Sequence, residues 1–292
     1  MSQAPTATVS GNRSRIKHAL LRRSTPSAIR FLRSVRTLGL YMLDPVDYAA
    51  RVINNQRHLP PFHLRREVGD PSIFQSSGAE WLSYARLLCD LQPHERVLDV
   101  GCGCGLMALS LEDYLSAEGS YTGIDVQAGA VKWCQAHIGR RRGNFNFVHL
   151  DHRSGRYNPR GESGSMRLPF EDSSFDLLLV KSVFTHLLRE DVEAYAAEIS
   201  RVLAPGGRCL ASWFLLDDDS PNFPFGDAVC RYQSEQSPET AVAYAEPYVR
   251  ALFARHRLEI REPIHRGTWS GRPGGLSRQD LTIIENPREC HD

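Results

Sequence analysis

Three carboxylates and a run of glycines carry the chemistry that the residue types of this chain allow. Asp99 is followed by Gly101, Gly103 and Gly105, with Cys102 and Cys104 between them. Glycine has no Cβ, so glycines at alternate positions let a ligand lie against bare backbone and permit positive φ. The dinucleotide fingerprint wants glycine at its first, third and sixth positions; here the sixth is Leu106, and an acid stands two residues before the first glycine. A carboxylate there repels a pyrophosphate and suits a ligand with a positive charge, such as the amino group of a methionine-like moiety. A second acid, Asp125, stands 20 residues after Gly105. In that place a carboxylate accepts hydrogen bonds from both hydroxyls of a ribose, or else caps the next helix. The third acid, Asp151, is followed by His152.

These acids need strand tips to hold them. Arg96 to Val100, Ser120 to Ile124 and Asn144 to Leu150 read as short buried strands, each running into one of these carboxylate segments. Helical patterns follow over Leu106 to Leu115 and Ala128 to His137, and another precedes the first strand from Phe74 to Leu88. A fourth strand ends at Val180 after the turn Leu168 to Asp176. A helix with Val192, Tyr195, Ile199, Val202 and Leu203 on one face then stops at Ala204-Pro205-Gly206-Gly207 before a fifth strand, Arg208 to Phe214. Pro247 starts a further helix, and Leu258 to Pro263 with Asp280 to Glu285 read as the last two strands. Arg153 to Arg167 is an irregular insertion too long for a turn, of the kind that serves as a lid or substrate contact. Asp217 to Glu239 reads as a polar loop.

With acids on three strand tips, Phe-Asp-Leu-Leu-Leu-Val at 175–180 and Ala-Pro-Gly-Gly at 204–207, the stretch from about residue 75 to 215 resembles the class I, Rossmann-like S-adenosylmethionine-dependent methyltransferases of the small-molecule and lipid type. The resemblance implies an α/β fold: a seven-strand, mostly parallel, doubly wound sheet of order 3-2-1-4-5-7-6 with the last strand antiparallel. It implies S-adenosyl-L-methionine as cofactor, bound by Asp99, Gly101, Cys102, Gly103, Gly105, Asp125, Val126, Asp151, His152 and Lys181. In that assignment Asp151 accepts from the adenine amino group, and the His152 backbone contacts the ring. Phe74 and Ser77 either border the site or serve the core. The acceptor is expected beyond the fourth strand, beside Phe184, with Trp269 and Arg272 either facing it or covering the sheet edge. His186 stands there as the candidate general base, because an imidazole of ordinary pKa near 6.5 suits proton removal at neutrality; the alternative is a cap or packing role.

The resemblance also bounds the acceptor. Tyr157-Asn158-Pro159 precedes the fourth strand, whereas the Asn-Pro-Pro-Tyr motif of amine-directed enzymes follows it. Val180-Lys181 lacks the acid that metal-assisted catechol-type enzymes carry there, so no metal is expected. A small-molecule, lipid or glycan acceptor is therefore favoured, against an RNA-directed enzyme or a non-catalytic S-adenosylmethionine-binding protein on the same fold.

Composition is consistent with one α/β core and an extension: 292 residues, 41% hydrophobic and 24% charged. Thirty-five Lys and Arg against 34 Asp and Glu give no overall charge argument for nucleic acid. No window reaches the roughly 18 apolar residues of a membrane span. The seven cysteines form no Cys-x-x-Cys pair and no apolar leader precedes them, which favours a reduced, cytoplasmic setting.

Residues 1–70 read as a basic extension and linker before a methyltransferase-like domain over 71–292. Residues 1–13 read as disordered. Eight Lys or Arg lie between Arg13 and Arg36, and the first acid is Asp44. Thr25-Pro26 marks a helix start, with Ile29, Leu32, Val35 and Leu38 on one face beside Arg30, Arg33 and Arg36. Such a helix is a packed cap, an organellar transit peptide, or a peripheral contact with an anionic membrane or polyanion through residues 13–43. The oligomeric state is left open.

Overall fold

The computed structural model describes residues 26–162, 166–216 and 222–287, and for residues 26–37 the backbone alone. The polar start and the basic run from Arg13 to Arg23 lie outside the described residues, as do Ser163 to Ser165 of the insertion and residues 217–221 of the polar loop. The chain divides into two units, residues 1–63 and 64–292.

In the first unit, helix α1 (Pro26–Ile53) begins at the proline that signals it. Its polar side holds the segment that follows. Arg51 pairs with Asp47 at 2.8 Å and donates to the Leu59 carbonyl at 2.7 Å, and Asp44 accepts the His63 amide at 3.1 Å. The stretch 62–70, expected as a linker, contains helix α2 (Phe62–Val68).

The second unit is built on one sheet. Helix α3 (Phe74–Cys89) leads into β1 (Arg96–Val100), α4 (Leu106–Leu111), β2 (Ser120–Asp125), α5 (Ala128–Cys134), β3 (Phe145–His149) and β4 (Phe175–Val180). Then come α6 (Arg189–Val202), β5 (Leu203–Trp213), β6 (Leu215–Leu216), β7 (Phe225–Gly226), β8 (Cys230–Tyr232), β9 (Val242–Ala245), α7 (Glu246–Arg255), β10 (Glu259–His265) and β11 (Asp280–Glu285). The main sheet has the order β3-β2-β1-β4-β5-β11-β10. Its first five strands run parallel, and β11 pairs antiparallel to both β5 and β10. Counted within this sheet, that is the order 3-2-1-4-5-7-6 expected above. Strand order reverses between β1 and β4, which in such sheets opens a ligand crevice at the carboxyl ends of the strands.

Alternation along each strand separates two layers. Leu98, Val100, Leu178, Val180 and Ala211 pack with Val192, Ala196 and Ile199 of α6 and with Val249, Leu252 and Phe253 of α7. Asp99 and Tyr121 point to the other face, where Tyr121 stacks on Phe145.

Three elements differ from the sequence reading. The stretch Asp217 to Glu239 holds β7 and β8, which join β6 and β9 in a second sheet of order β6-β9-β8-β7. Strands of two to four residues are too short to show a period of two; the β7–β8 turn is closed instead by Asp227, whose carboxylate accepts the Val229 and Cys230 amides at 2.8 Å. The Pro205-Gly206-Gly207 segment lies inside β5 rather than ahead of it, with Gly206 at φ 76°. The helix over Ala128 widens after Cys134 into a π turn, Gln135–Gly139.

Candidate functional site

The glycine turn that follows β1 is held by its own backbone. The amides of Gly101 and Cys102 donate to the Ile124 carbonyl at 2.8 and 2.9 Å, fixing the turn to the tip of β2. Gly101, Gly103 and Gly105 have φ of 78°, 51° and 84°, the left-handed region that a side chain resists. Space excludes a side chain as well. A Cβ on Gly101 would lie 2.6 Å from Val183 Cγ2, one on Gly103 would run into Val68, and one on Gly105 would lie 2.7 Å from Ile138. Cys102, Cys104 and Cys134 are buried around the turn, and burial pushes all three thiols up, which leaves them as small apolar packing groups.

Asp125 closes the turn from the other side. One carboxylate oxygen accepts the Gly103 amide at 2.7 Å, and the other accepts the Gln127 amide at 2.8 Å. Each oxygen has a second lone pair, so two bonds to a diol can be added to the two amide bonds. Burial raises the Asp125 pKa, and these amides act against the rise. Val126 is half-buried beside it, its carbonyl accepting from His149 Nε2 at 3.2 Å.

Asp99 is enclosed, 1% exposed, and accepts from the Tyr121 hydroxyl at 2.6 Å. Burial pushes its pKa up to about 7, with the Tyr121 bond opposing. Asp99 is thus enclosed and paired to Tyr121 rather than open as a ligand. Lys181, at the tip of β4, has its ammonium 5.6 Å from the centre of the Trp81 ring. Burial lowers its pKa, and Glu80 and Asp99 hold it up.

The insertion after β3 is tied to the turn at Glu239 and Thr240 and meets His186. Asp151 accepts from Asn158 Nδ2 at 2.9 Å, and Arg153 and Glu162 are joined by a backbone bond of 2.9 Å. Arg156 donates its amide to Glu239 and its guanidinium to the Thr240 carbonyl, at 3.1 and 3.2 Å. His152 is half-buried, with Nε2 4.0 Å from Asp191. Tyr157 lies within the field of the site: burial raises its phenol pKa, Arg156 lowers it, and Asp125 and Glu67 raise it further. Tyr195 of α6 is likewise raised by burial and then by Asp125. Neither tyrosine was singled out as a site residue from the sequence. Tyr157 stands in an aperiodic insertion, and Tyr195 falls on the core-facing side of a helix, so neither carries a local signal.

His186 is tethered rather than open. Its Nδ1–H donates to the Glu239 carbonyl at 3.0 Å, and Tyr157 meets its ring edge-on at 5.9 Å. Burial, with Arg156 adding to it, pushes the imidazole down to about 4. This leaves a neutral ring whose Nε2 is a weak proton acceptor, which weighs against the general-base assignment. Phe184, expected beside the acceptor, is fully buried, stacked on Trp213 and edge-on to Phe253. The geometry gives it a packing role. Trp269 and Arg272 are drawn to Asp280, which is 0% exposed. Asp280 accepts from Trp269 Nε1 at 2.5 Å, Arg272 Nη1 at 2.9 Å and the Leu215 and Gly267 amides at 2.8 Å. These four bonds favour the sheet-edge alternative over acceptor contact.

The residues present fit a methionine-like cation carrying a ribose. Gly101 stands exposed at the turn, Asp125 retains lone pairs for a diol, and Asp99 is a buried acid that a nearby cation would relieve.

Residues 98–211 match the methyltransferase domain family. An O-methyltransferase of Penicillium expansum is 30% identical over 132 residues, covering 44% of this chain and 42% of that protein. A phthiotriol/phenolphthiotriol dimycocerosates methyltransferase of Mycobacterium ulcerans is 37% identical over 122 residues, covering 40% of this chain and 36% of its own length. The match thus spans about two fifths of these curated relatives. Among solved structures, a putative methyltransferase of Bacillus halodurans superposes with a TM-score of 0.50 at 16% identity, covering 73% of this chain and 99% of that one. That likeness is one of fold.

Proposed function

We propose, from the match of residues 98–211 to the methyltransferase domain family, that this chain moves a methyl group from S-adenosylmethionine to a small apolar or lipid-like acceptor. The observation that carries the reading is the Asp125 carboxylate bound to Gly103 within a turn of three positive-φ glycines. When bound, S-adenosylmethionine supplies a methyl on a sulfonium that is already activated for displacement.

The chain then has to bind, orient and exclude water. Gly101 offers exposed backbone to the methionine portion, and the turn through Gly103 and Gly105 sets its course. Asp125 accepts from the ribose hydroxyls, Asp99 complements the amino group through its field, and Asp151 with His152 frames the adenine. Tyr157 and the insertion that carries it cover the crevice, tied down by Arg156 to the turn at Glu239 and Thr240. His186, neutral and tethered, orients that cover. The acceptor class is supported by the tip of β4, Val180-Lys181, and by relatives named for O-methylation and for a lipid substrate.

Calorimetric titration with S-adenosylmethionine, S-adenosylhomocysteine and NAD tests the donor. Binding of the first two with none of NAD is expected. NAD binding without the others would overturn the reading. A label-transfer assay on phenolic, sterol and glycolipid acceptors, with bulk RNA alongside, then tests the acceptor class.

A further inference from the structure

Most of the large apolar side chains that stand exposed among the described residues lie on α1. Leu38, Met42, Val46, Ala49 and Ile53 follow one another at helical intervals of three and four residues, which sets them in one stripe. Leu38 is 64%, Met42 74%, Val46 70% and Ile53 82% exposed. Tyr41 and Tyr48 flank the stripe; Tyr41 stacks on His63 and Tyr48 lies under Arg51. The opposite side of the helix carries Asp44, Asp47 and Arg51, and these hold Leu59 and His63 of the same unit. The helix is thus amphipathic with its polar side already engaged.

The charge preceding this stripe selects its occupant. Residues 13–36 carry eight Lys or Arg, and no Asp or Glu precedes Asp44. A second copy of the helix would bring two such basic runs together, and a nucleic acid would engage the bases while leaving the apolar stripe in water. An anionic bilayer surface satisfies both, taking the stripe at the acyl boundary and the bases at the phosphates. No helix among the described residues is long and apolar enough to cross a membrane. We propose that α1 lies along the surface of an anionic lipid bilayer, with Leu38, Met42, Val46 and Ile53 inserted.

The test is co-sedimentation of the full chain with phosphatidylcholine vesicles, with and without phosphatidylglycerol. Binding at least about ten-fold tighter to the anionic vesicles, and weakening as salt is raised, is expected. Met42→Glu combined with Val46→Glu places charge on exposed positions, so circular dichroism and thermal unfolding should match the native chain while anionic-vesicle binding falls at least about ten-fold. Arg22→Glu combined with Arg23→Glu should weaken binding to the anionic vesicles alone. Equal binding to neutral vesicles, or unchanged binding by the well-folded double glutamate variant, overturns the proposal. So does a native dimer that this variant converts to monomer when neither form sediments with vesicles; the stripe would then belong to a second copy.

Discussion

The Asp125 carboxylate accepts the Gly103 amide at 2.7 Å, so a single side chain at the tip of β2 holds the middle of the glycine turn that follows β1. Its other oxygen takes the Gln127 amide at 2.8 Å, and the two neighbouring strand ends are joined through one acid. Any ligand diol that binds Asp125 therefore meets a group already oriented by the backbone it must lie against.

Replacing Asp125 by Ala removes the ligand contact and leaves the buried Gly103 amide unpaired. S-adenosylmethionine affinity should fall by roughly 10- to 150-fold, corresponding to about 1.5–3 kcal/mol for hydrogen bonds to a charged group. The unfolding midpoint should fall as well. Asp125→Asn keeps an acceptor for one amide and should lose less stability than Ala while losing comparable affinity. Calorimetry and denaturant unfolding separate the two effects, and native affinity in a folded variant would remove Asp125 from the site.

Gly103→Ala tests the cradle. Its φ of 51° costs an alanine about 1–2 kcal/mol, and the new methyl runs into the Val68 side chain of α2. Stability should fall by about 2–5 kcal/mol when overpacking is added. Val68→Ala in the same chain should restore the steric part but not the φ cost. A double-mutant cycle by urea unfolding reads the coupling directly; strict additivity would mean that Val68 does not cover the turn.

The glycine turn of the candidate site was legible in the sequence wherever chemistry and backbone geometry coincide. Asp99, Gly101, Gly103, Gly105 and Asp125 announce themselves because bare backbone and strand-end acids are rare outside ligand turns, and β1 and β11 have the bounds their burial pattern predicts. What stayed hidden depends on packing between distant segments. Val68 over Gly103 needs a helix where Pro60-Pro61 and a polar stretch suggested a linker, and Tyr157 reaches the field of Asp125 only through an insertion without periodicity. His186 shows the other limit. Its residue type suggests a base, whereas its burial and the charge of Arg156, which lower its pKa, and its bond to Glu239, which tethers it, are tertiary facts.

Asp99 should make stability depend on pH. Burial holds its folded pKa at about 7, above an ordinary carboxylate near 4. Between these values the folded state keeps a proton that the unfolded chain has lost. Stability contributed by this group is thus full below about pH 4 and declines as pH rises to about 7. Asp99→Asn should flatten that decline. Urea midpoints at about pH 5 and about pH 8 would show it, and an identical decline in the Asn variant would assign the effect elsewhere. A cationic ligand favours the ionised acid, so S-adenosylmethionine affinity should rise over the same interval in the native chain and stay level in the variant.

His186 presents the opposite case, and it decides between a base and a positioning residue. The Nδ1–H bond to the Glu239 carbonyl fixes the tautomer, and burial with Arg156 holds the pKa at about 4, below the unperturbed value near 6.5. The depressed value means that this group contributes stability above about pH 6.5 and loses it as pH falls toward about 4. It also means that the ring is neutral throughout the physiological range, with Nε2 too weak a base to draw a proton from a hydroxyl of ordinary pKa. His186→Asn can still donate to the Glu239 carbonyl while lacking that nitrogen. Its kcat should stay within about ten-fold of native, with cofactor affinity unchanged and no inflection near pH 6.5 in either enzyme. His186→Ala, which frees the turn at Glu239 and Thr240, should raise the acceptor KM more than it lowers kcat. A loss of roughly 10²–10⁴ in kcat for the Asn variant, recovered at high pH, would restore His186 as the general base.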